Sequence, residues 1–186
     1  NYFQHVPYLE SVAKEKGYDF EVLANVHVEP IGLYSEKHTA FSDIPDGALI
    51  AIPDNPSNEY RALVLLQANG LITLKSDLVD YAATPADILD NPKGLQFIEV
   101  DAAQLTRSLP DVDAAVINTN RILEAGIDPK SALIRENADS PYGNIVVVRK
   151  GEETRPELLK LKEALLSESV KTFIQETYGV AVVPAF

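Results

Sequence analysis

Amide and hydroxyl side chains gather at the ends of two apolar, strand-like runs. In the first run, polar Asn118–Asn120 directly follows apolar Ala114–Ile117. In the second the order is reversed, because polar Ser140–Asn144 precedes apolar Ile145–Val148. A buried strand with polar residues at one end directs hydrogen-bonding groups into a crevice of an α/β sheet. The two runs hold no nucleophile, metal-ligand cluster or acid–base pair, so the pattern predicts binding of something small and polar.

Four residues of these runs are therefore candidates for ligand contact: Asn118, Asn120, Tyr142 and Asn144. Asparagine at a strand end is also ordinary turn chemistry, since its side chain readily bonds nearby backbone groups. The residues by themselves leave both interpretations open.

A third candidate lies where a helix is predicted to begin, at Asn55–Ser57. Asn55 or Ser57 suits the N-cap, and Pro56 suits a position just inside the helix. Free N–H groups at a helix N-terminus favour an anion, and Arg61 could add a bidentate grip on a carboxylate. An ordinary capped helix with a surface arginine is the alternative, and spacing alone favours it.

Composition excludes several classes of function. The 28 acidic residues against 16 basic ones give a net charge of −12, which disfavours nucleic acid and anionic membrane surfaces as partners. Without cysteine there is no disulfide or thiolate site, and no apolar run is long enough to span a bilayer. The histidines, His5, His27 and His38, do not have metal-ligand spacing, and no nucleophile elbow or phosphate loop occurs. We therefore expect no catalytic residue, no metal and no cofactor.

Hydrophobic periodicity predicts an alternation of strands and helices. The predicted strands are residues 1–4, 20–28, 48–52, 96–100, 112–118 and 144–150. The predicted helices are residues 7–17, 55–70, 84–92, 102–108, 121–125 and one long helix over 156–178. Such alternation is typical of a mostly parallel sheet with helices on both faces. The apolar end, Gly179–Phe186, is expected to pack against the rest.

Five segments together resemble a known family, the NlpA/MetQ lipoproteins, which are substrate-binding components of bacterial methionine ABC importers. The segments are Asn1–Leu9, Ile52–Leu63, Val112–Asn120, Asp139–Val148 and Ala181–Phe186. They occur in family order, and the likeness covers essentially the whole chain.

The resemblance implies an α/β fold of the type II periplasmic-binding-protein kind, with two α/β lobes joined by a hinge and a ligand closed between them. Lobe I would comprise residues 1–43 and 144–186, and lobe II residues 44–143. Family members usually carry some tens of residues before the Asn-Tyr-Phe-Gln motif. Lobe I is therefore expected to be incomplete, without its N-terminal strand, helix and strand.

The resemblance also assigns nine substrate-binding residues: Tyr2, Phe3, His5, Tyr34, Asn58, Arg61, Asn118, Tyr142 and Asn144. Among these, Asn118 and Asn144 should bind the backbone groups of an amino acid, and Arg61 should meet its carboxylate. The side-chain pocket would be lined by Tyr2, Phe3, His5 and Tyr34.

The function implied is capture rather than catalysis. The protein would bind L-methionine outside the cytoplasmic membrane of a bacterium and deliver it to the permease and ATPase subunits of an ABC importer. Its only membrane attachment would be a lipid on an N-terminal cysteine that is absent from this chain. A methionine-containing dipeptide, another apolar amino acid, or a role as a ligand sensor outside transport are the alternatives.

Overall fold

The computed structural model describes residues 1–78, 82–137 and 140–186. Asp139, the first residue of one motif above, lies outside the described residues. The strands in chain order are β1 Tyr2–His5, β2 Phe20–Val28, β3 Gly32–Tyr34, β4 Leu49–Pro53, β5 Thr73–Leu74, β6 Ile88–Asp90, β7 Gln96–Val100, β8 Ala114–Ile117, β9 Ile134–Arg135, β10 Gly143–Arg149 and β11 Val183–Pro184. The α-helices are α1 Val6–Lys16, α2 Pro56–Ala68, α3 Leu105–Ser108, α4 Thr119–Glu124, α5 Pro156–Leu165 and α6 Glu168–Tyr178.

Internal contacts divide the chain into two compact units. Unit 1 comprises Asn1–Pro30 and Asn137–Phe186, and unit 2 comprises Ile31–Glu136. Residues 31–43 fall in unit 2, whereas the expected lobe boundary lay after residue 43. The reason is that β3 pairs with β8 and β9, both of which belong to unit 2.

Unit 1 is built on an antiparallel sheet in the order β1-β10-β2-β11. The sheet buries two small apolar clusters. One consists of Leu23, Ala24, Val26 and Val146, with α5 residues such as Leu158 packed against it. The other joins Ile174 of α6 to Ala181 and Val182, which confirms that the apolar C-terminal segment packs down.

The first helix follows local sequence signals closely. His5 caps α1 by accepting the N–H of Tyr8 on its Nδ1, and Pro7 occupies the first turn, where its missing N–H costs nothing. Gly17 ends the helix in the left-handed conformation with φ +69°, which glycine adopts without strain.

The single long helix expected over residues 156–178 was wrong. The structure has two helices, α5 and α6, which are separated at Leu166 and Ser167. Ser167 begins α6 as its N-cap, because its Oγ accepts the N–H of Val170 at 3.4 Å. The apolar stripe continues across the break, so the periodicity alone did not reveal it.

Unit 2 is built on a mixed sheet in the order β7-β4-β8-β3-β9. β4 pairs in parallel with β7 and β8, whereas β3 pairs antiparallel with β8 and β9. The expectation of a mostly parallel sheet was therefore wrong for unit 1 and correct only for three strands of unit 2. In unit 1, β10 runs opposite to both β1 and β2, which alternation of elements does not reveal.

The core of unit 2 lies on both sides of its sheet. A large cluster packs α2 against one face, with Ile50, Ile52, Leu63 and Leu66 fully buried. A second cluster packs α3 and α4 residues against Ala51, Ala115 and Ile117. This dry framework holds the N-terminus of α2 and the end of β8 in fixed positions.

The helix expected over residues 84–92 was also wrong. Pro85–Asp87 forms only one 3-10 turn, which Asp87 closes by accepting the N–H of Thr84 at 3.1 Å. The chain then continues as β6, which pairs with β5. Among the described residues, no helix has the length and apolar character required to cross a membrane.

Candidate functional site

In unit 2, the N-cap of α2 is the start of a chain of side-chain amides. Asn55 accepts the backbone N–H of Asn58 on its Oδ1 at 3.2 Å, as an N-cap residue does. The same oxygen accepts the side-chain Nδ2 of Asn58 at 2.8 Å. One cap oxygen therefore fixes both the first turn of the helix and the rotamer of Asn58.

The chain of amides continues to the end of β8. Asn118 directly follows this strand and donates its Nδ2 to the Oδ1 of Asn58 at 3.0 Å. The Oδ1 of Asn118 is buried, and it has no hydrogen-bond partner in the part of the chain that the structure describes. A buried carbonyl oxygen without a donor is costly, which makes this atom a candidate acceptor for a ligand.

Arg61 lies three residues beyond Asn58 on α2, so the two side chains are neighbours on one helix face. Its guanidinium is 3% exposed and forms a bidentate ion pair with Glu136. The distances from Nε to the two carboxylate oxygens are 3.1 and 3.2 Å. Glu136 also accepts the N–H of Ile31 at 3.3 Å, which fixes the carboxylate at the edge of β9. The predicted cation is thus buried and held in place, with a carboxylate already on it.

Tyr34 lies in the core of unit 2. It is 2% exposed and belongs to the core cluster around Ala51 and Ile117. Burial raises the pKa of its phenol to about 12. Its side chain also closely approaches Gly32, where an added Cβ would lie 2.9 Å from the Tyr34 ring. Tyr34 is thus part of the unit 2 core, and its expected role at a side-chain pocket stays a prediction.

In unit 1, three rings from β1 and β2 form an aromatic cluster. The ring of His27 lies 5.7 Å from that of Tyr2 and 5.8 Å from that of Phe3. His27 Nε2 lies 3.2 Å from the Glu29 carboxylate, and its Nδ1 lies 2.6 Å from the Tyr2 hydroxyl. Because a carboxylate can only accept, in the neutral ring Nε2 carries the proton and Nδ1 accepts from the tyrosine. Burial and the nearby Glu29 charge raise the pKa of Tyr2 to about 12.

Phe3 has an unusual backbone. Its φ is +90°, a region that bulky side chains rarely adopt, and the pairing of β1 with β10 shifts register at this point. The ring is 49% exposed. Backbone strain of this kind costs about 1–3 kcal/mol and is concentrated at ligand sites. The bulge therefore keeps an aromatic surface accessible beside the buried His27.

Asn144 lies near the start of β10, an inner strand of the unit 1 sheet. β10 pairs with β1 on one side and β2 on the other, and this register puts Asn144 opposite both His5 and His27. Side chains directly opposite in antiparallel strands lie on the same face, so these three residues form a row. The neighbouring Gly143 lets the Asn25 side chain pack against the start of β10, because a Cβ there would lie 2.9 Å from the Cγ of Asn25.

Two further predicted residues contact each other in unit 1. The rings of His5 and Tyr142 meet edge to face with centroids 5.1 Å apart, and both residues are buried. His5 Nδ1 accepts a backbone N–H, so in the neutral ring the proton is on Nε2. Imidazole, phenol and amide groups therefore meet at one end of the unit 1 sheet.

The sequence interpretation missed four polar residues of these clusters: Asn55 as part of the amide chain, Glu136, His27 and Glu29. A signal existed for Asn55, which was recognised as a helix cap. No local signal identifies Glu136, since its partner Arg61 lies 75 residues earlier. Within the described ranges, no group of three or more His, Cys, Asp or Glu residues could hold a metal ion.

The two α/β units have the fold of the type II periplasmic-binding class, which the solved relatives described below share. The chain belongs to the NlpA lipoprotein family, whose model matches residues 1–186. The likeness stated from the sequence motifs is thereby confirmed.

Three relatives illustrate the match. The chain is 40% identical over 190 residues to the methionine-binding lipoprotein MetQ of Bacillus subtilis, covering 99% of this chain and 69% of that protein. A nutrient-binding protein from Burkholderia cenocepacia, solved bound to methionine, is 45% identical with a TM-score of 0.95, covering 100% of this chain and 78% of that one. A periplasmic substrate-binding protein of an ABC transporter from Coxiella burnetii is 46% identical with a TM-score of 0.93 and the same coverage.

The chain spans between 62% and 70% of the length of the curated relatives that it matches. The relatives named here are binding proteins, and none of the three is named as an enzyme.

Proposed function

We propose that this chain binds methionine as the substrate-binding component of a bacterial ABC importer. Two relatives support this proposal, since one is named as methionine-binding and another was solved with methionine bound. The support from the chain itself is a set of groups that complement an amino acid. None of these groups supplies acid–base or nucleophilic chemistry.

The observation that carries the proposal is a polar pair in unit 2. The pair consists of the buried guanidinium of Arg61 and the buried Oδ1 of Asn118, which has no donor among the residues that the structure describes. A free amino acid carries both complementary groups. Its carboxylate can share the Arg61 guanidinium, and its ammonium group can donate to the Oδ1 of Asn118. Both ionic groups must regain in the protein the hydrogen bonds that they lose on leaving water. In this proposal Arg61 receives the carboxylate and Asn118 Oδ1 receives the ammonium group.

Glu136 has a defined part in this scheme. A buried arginine without a counterion would be strongly destabilising, so Glu136 keeps the guanidinium neutralised in the absence of ligand. A ligand carboxylate then either shares the guanidinium with Glu136 or displaces it. Arginine suits such an exchange because its planar fork has five donors.

Within unit 1, the aromatic and amide groups complement the chemistry of a methionine side chain. A thioether makes favourable contacts with aromatic rings, worth about 0.3–1.5 kcal/mol each, and each buried CH₂ adds about 0.8 kcal/mol. The exposed ring of Phe3, the ring of Tyr2 and the buried pair His5 and Tyr142 provide such surfaces. Asn144, in its row with His5 and His27, supplies the amide.

Transport and anchoring complete the proposal. The relatives include lipoproteins and the binding component of an ABC transporter, which supports a lipid-anchored protein on the extracytoplasmic face that passes its ligand to permease and ATPase subunits. The acidic surface and the lack of clustered Lys and Arg agree with a protein that contacts no nucleic acid.

Calorimetry with altered ligands tests the assignment of groups. Protein freed of ligand by unfolding and refolding is titrated with L-methionine, methionine methyl ester, N-acetylmethionine and norleucine. We expect one saturable site for methionine, loss of binding for the ester and the acetylated compound, and a loss of about tenfold or less for norleucine, which lacks only the sulfur contact. A methionine-containing dipeptide in the same panel tests the main alternative.

Two outcomes would contradict the proposal. If N-acetylmethionine binds as tightly as methionine, no ammonium group is recognised at Asn118. If no compound of the panel binds the correctly folded chain, methionine binding is excluded for residues 1–186. Arg61→Lys serves as a matched variant, because it keeps the charge but loses the bidentate geometry.

A further inference from the structure

We infer that Asn55 is a positioning residue for the proposed methionine site, because its side-chain oxygen sets the orientation of the Asn58 and Asn118 amides. In this orientation Asn118 presents its Oδ1, a hydrogen-bond acceptor, to the ligand. The inference rests on the proposed function for the identity of the ligand. The orientation of the amides can be measured without any ligand.

The atom of the Asn55 side-chain amide that faces α2 is its oxygen. The backbone N–H of Asn58 points at it from 3.2 Å, and an N–H can only donate. The facing atom must therefore be Oδ1, since the amide NH₂ group cannot accept. Helix formation itself thus fixes one end of the chain of amides.

The Asn55 oxygen in turn determines the orientation of the Asn58 amide. The Asn58 amide contacts the same oxygen from 2.8 Å, so it must present its Nδ2 there. Its Oδ1 is then directed at Asn118, which presents its Nδ2 in turn at 3.0 Å. A flip of either amide would bring two NH₂ groups, or two carbonyl oxygens, into contact.

Asn118 is the last residue in this chain of amides. With its Nδ2 engaged, Asn118 leaves Oδ1 as the buried atom without a partner among the described residues. The site therefore favours a ligand donor, such as an ammonium group, over a ligand acceptor. If Asn118 had the reverse orientation, it would present an NH₂ group and disfavour a cation.

Two substitutions at residue 55 separate this role from helix capping. Asn55→Ser keeps a good N-cap but has a shorter side chain that cannot also reach the Asn58 amide. Asn55→Asp keeps both the cap and an oxygen in the right place. We expect Asn55→Ser to weaken methionine binding about tenfold or more with little change in melting temperature, and Asn55→Asp to restore most of that affinity.

The matched control is Ser167→Ala, which removes the N-cap of α6 in unit 1. It should lower the melting temperature and leave the methionine affinity unchanged. If Asn55 acts only as a cap, Asn55→Ser should leave both the affinity and the melting temperature unchanged.

Side-chain amide signals in ¹⁵N NMR spectra of the ligand-free protein provide the readout that a purely structural role would not move. In the unsubstituted protein and in Asn55→Asp, the Asn58 and Asn118 NH₂ protons should exchange slowly with solvent. In Asn55→Ser both should exchange several-fold faster. Unchanged exchange in Asn55→Ser would overturn the inference, whatever the ligand is.

The two proposals fail differently. If the protein does not bind methionine but the Asn55→Ser exchange pattern appears, the methionine assignment is lost and the orientation of the amides stands. If methionine binds and Asn55→Ser binds it equally well, the positioning role is overturned and the binding function stands.

Discussion

The two units differ most in how much apolar surface they bury. The clusters of unit 2 hold seventeen and eight buried residues, whereas the clusters of unit 1 hold four and three among the described residues. Burial of apolar surface is the main source of folding free energy. Unit 2 is therefore expected to be the more stable of the two.

Unit 1 instead leaves large apolar side chains on its surface. Helix α5 has no buried residue, and Phe173, Tyr18 and Phe3 are 57%, 52% and 49% exposed. The stability of unit 1 therefore depends more on the hydrogen bonds that β10 makes with β1 and β2. The difference also matches the candidate sites: unit 2 holds polar groups in a dry, rigid frame, and unit 1 presents aromatic rings near solvent.

The largest expected effect tests this contrast in the cores. Leu63→Ala in α2 removes a fully buried side chain from the main cluster of unit 2, and it should lower the free energy of unfolding by about 3 kcal/mol. Leu159→Ala in α5 removes a side chain that is 48% exposed, and it should cost less than about 0.5 kcal/mol. Urea unfolding measures both.

Hydrogen exchange assigns these effects to a unit. Amides of β10 and β2 should open at a lower free energy than those of β4 and β8, because less burial stabilises them. A similar cost for the two leucine substitutions, together with uniform exchange, would show that burial does not separate the units.

Features encoded by neighbouring residues were predictable from the sequence. The bounds of β2 are those expected, and α2 begins at its Asn-Pro signal and is followed by Gly70 with φ +74°. Gly17 ends α1 for the same reason. In each case one residue has a backbone preference or a capping group that acts within a few positions.

Features that depend on distant partners were not predictable. Strand direction is set by how the chain returns, so the antiparallel pairing of β2 with β10 has no local signal. The Arg61–Glu136 ion pair is of the same kind. Family motifs, but not periodicity, brought Asn58, Asn118 and Asn144 into one hypothesis, and their joint role in ligand binding stays a prediction.

The next prediction concerns the buried carboxyl of Glu59 in unit 2, whose ionisation should make the stability of the protein depend on pH. Glu59 of α2 is 4% exposed, and its Oε1 has no partner among the described residues. Burial, the Glu99 carboxyl within hydrogen-bonding reach, and Asp54 and Asp87 raise the pKa of Glu59 from 4.5 to about 7. A carboxyl whose pKa is raised in the folded state contributes stability that is present below pH 4.5 and lost as the pH rises through 7.

Glu59→Gln removes this dependence. The variant should be more stable than the unsubstituted protein by about 1 kcal/mol at pH 8, with almost no difference at pH 4. Thermal unfolding at the two pH values measures this. Glu10→Gln, on the exposed face of α1, is the control and should have no such dependence. An equal effect of Glu59→Gln at both pH values would mean that Glu59 is ionised throughout, and unit 2 would then not differ in this respect.

The smallest effect examines the backbone strain in unit 1. Phe3→Gly and Phe3→Ala both remove the exposed ring, so they differ only in how well they tolerate φ +90°. Glycine adopts this conformation freely, and the glycine variant should therefore be more stable than the alanine variant by about 1 kcal/mol. Urea unfolding of the pair measures the difference, and methionine affinity should fall equally in both because neither has the ring.

The same pair of substitutions at Tyr8, within α1, should have the opposite order, since glycine is about 1 kcal/mol worse than alanine inside a helix. The change of sign between two exposed aromatic positions five residues apart isolates backbone strain from loss of the ring. If alanine is also preferred at residue 3, the bulge in β1 stores no strain. The exposed aromatic surface of unit 1 would then follow from its small core alone, and not from a backbone held in place to present Phe3.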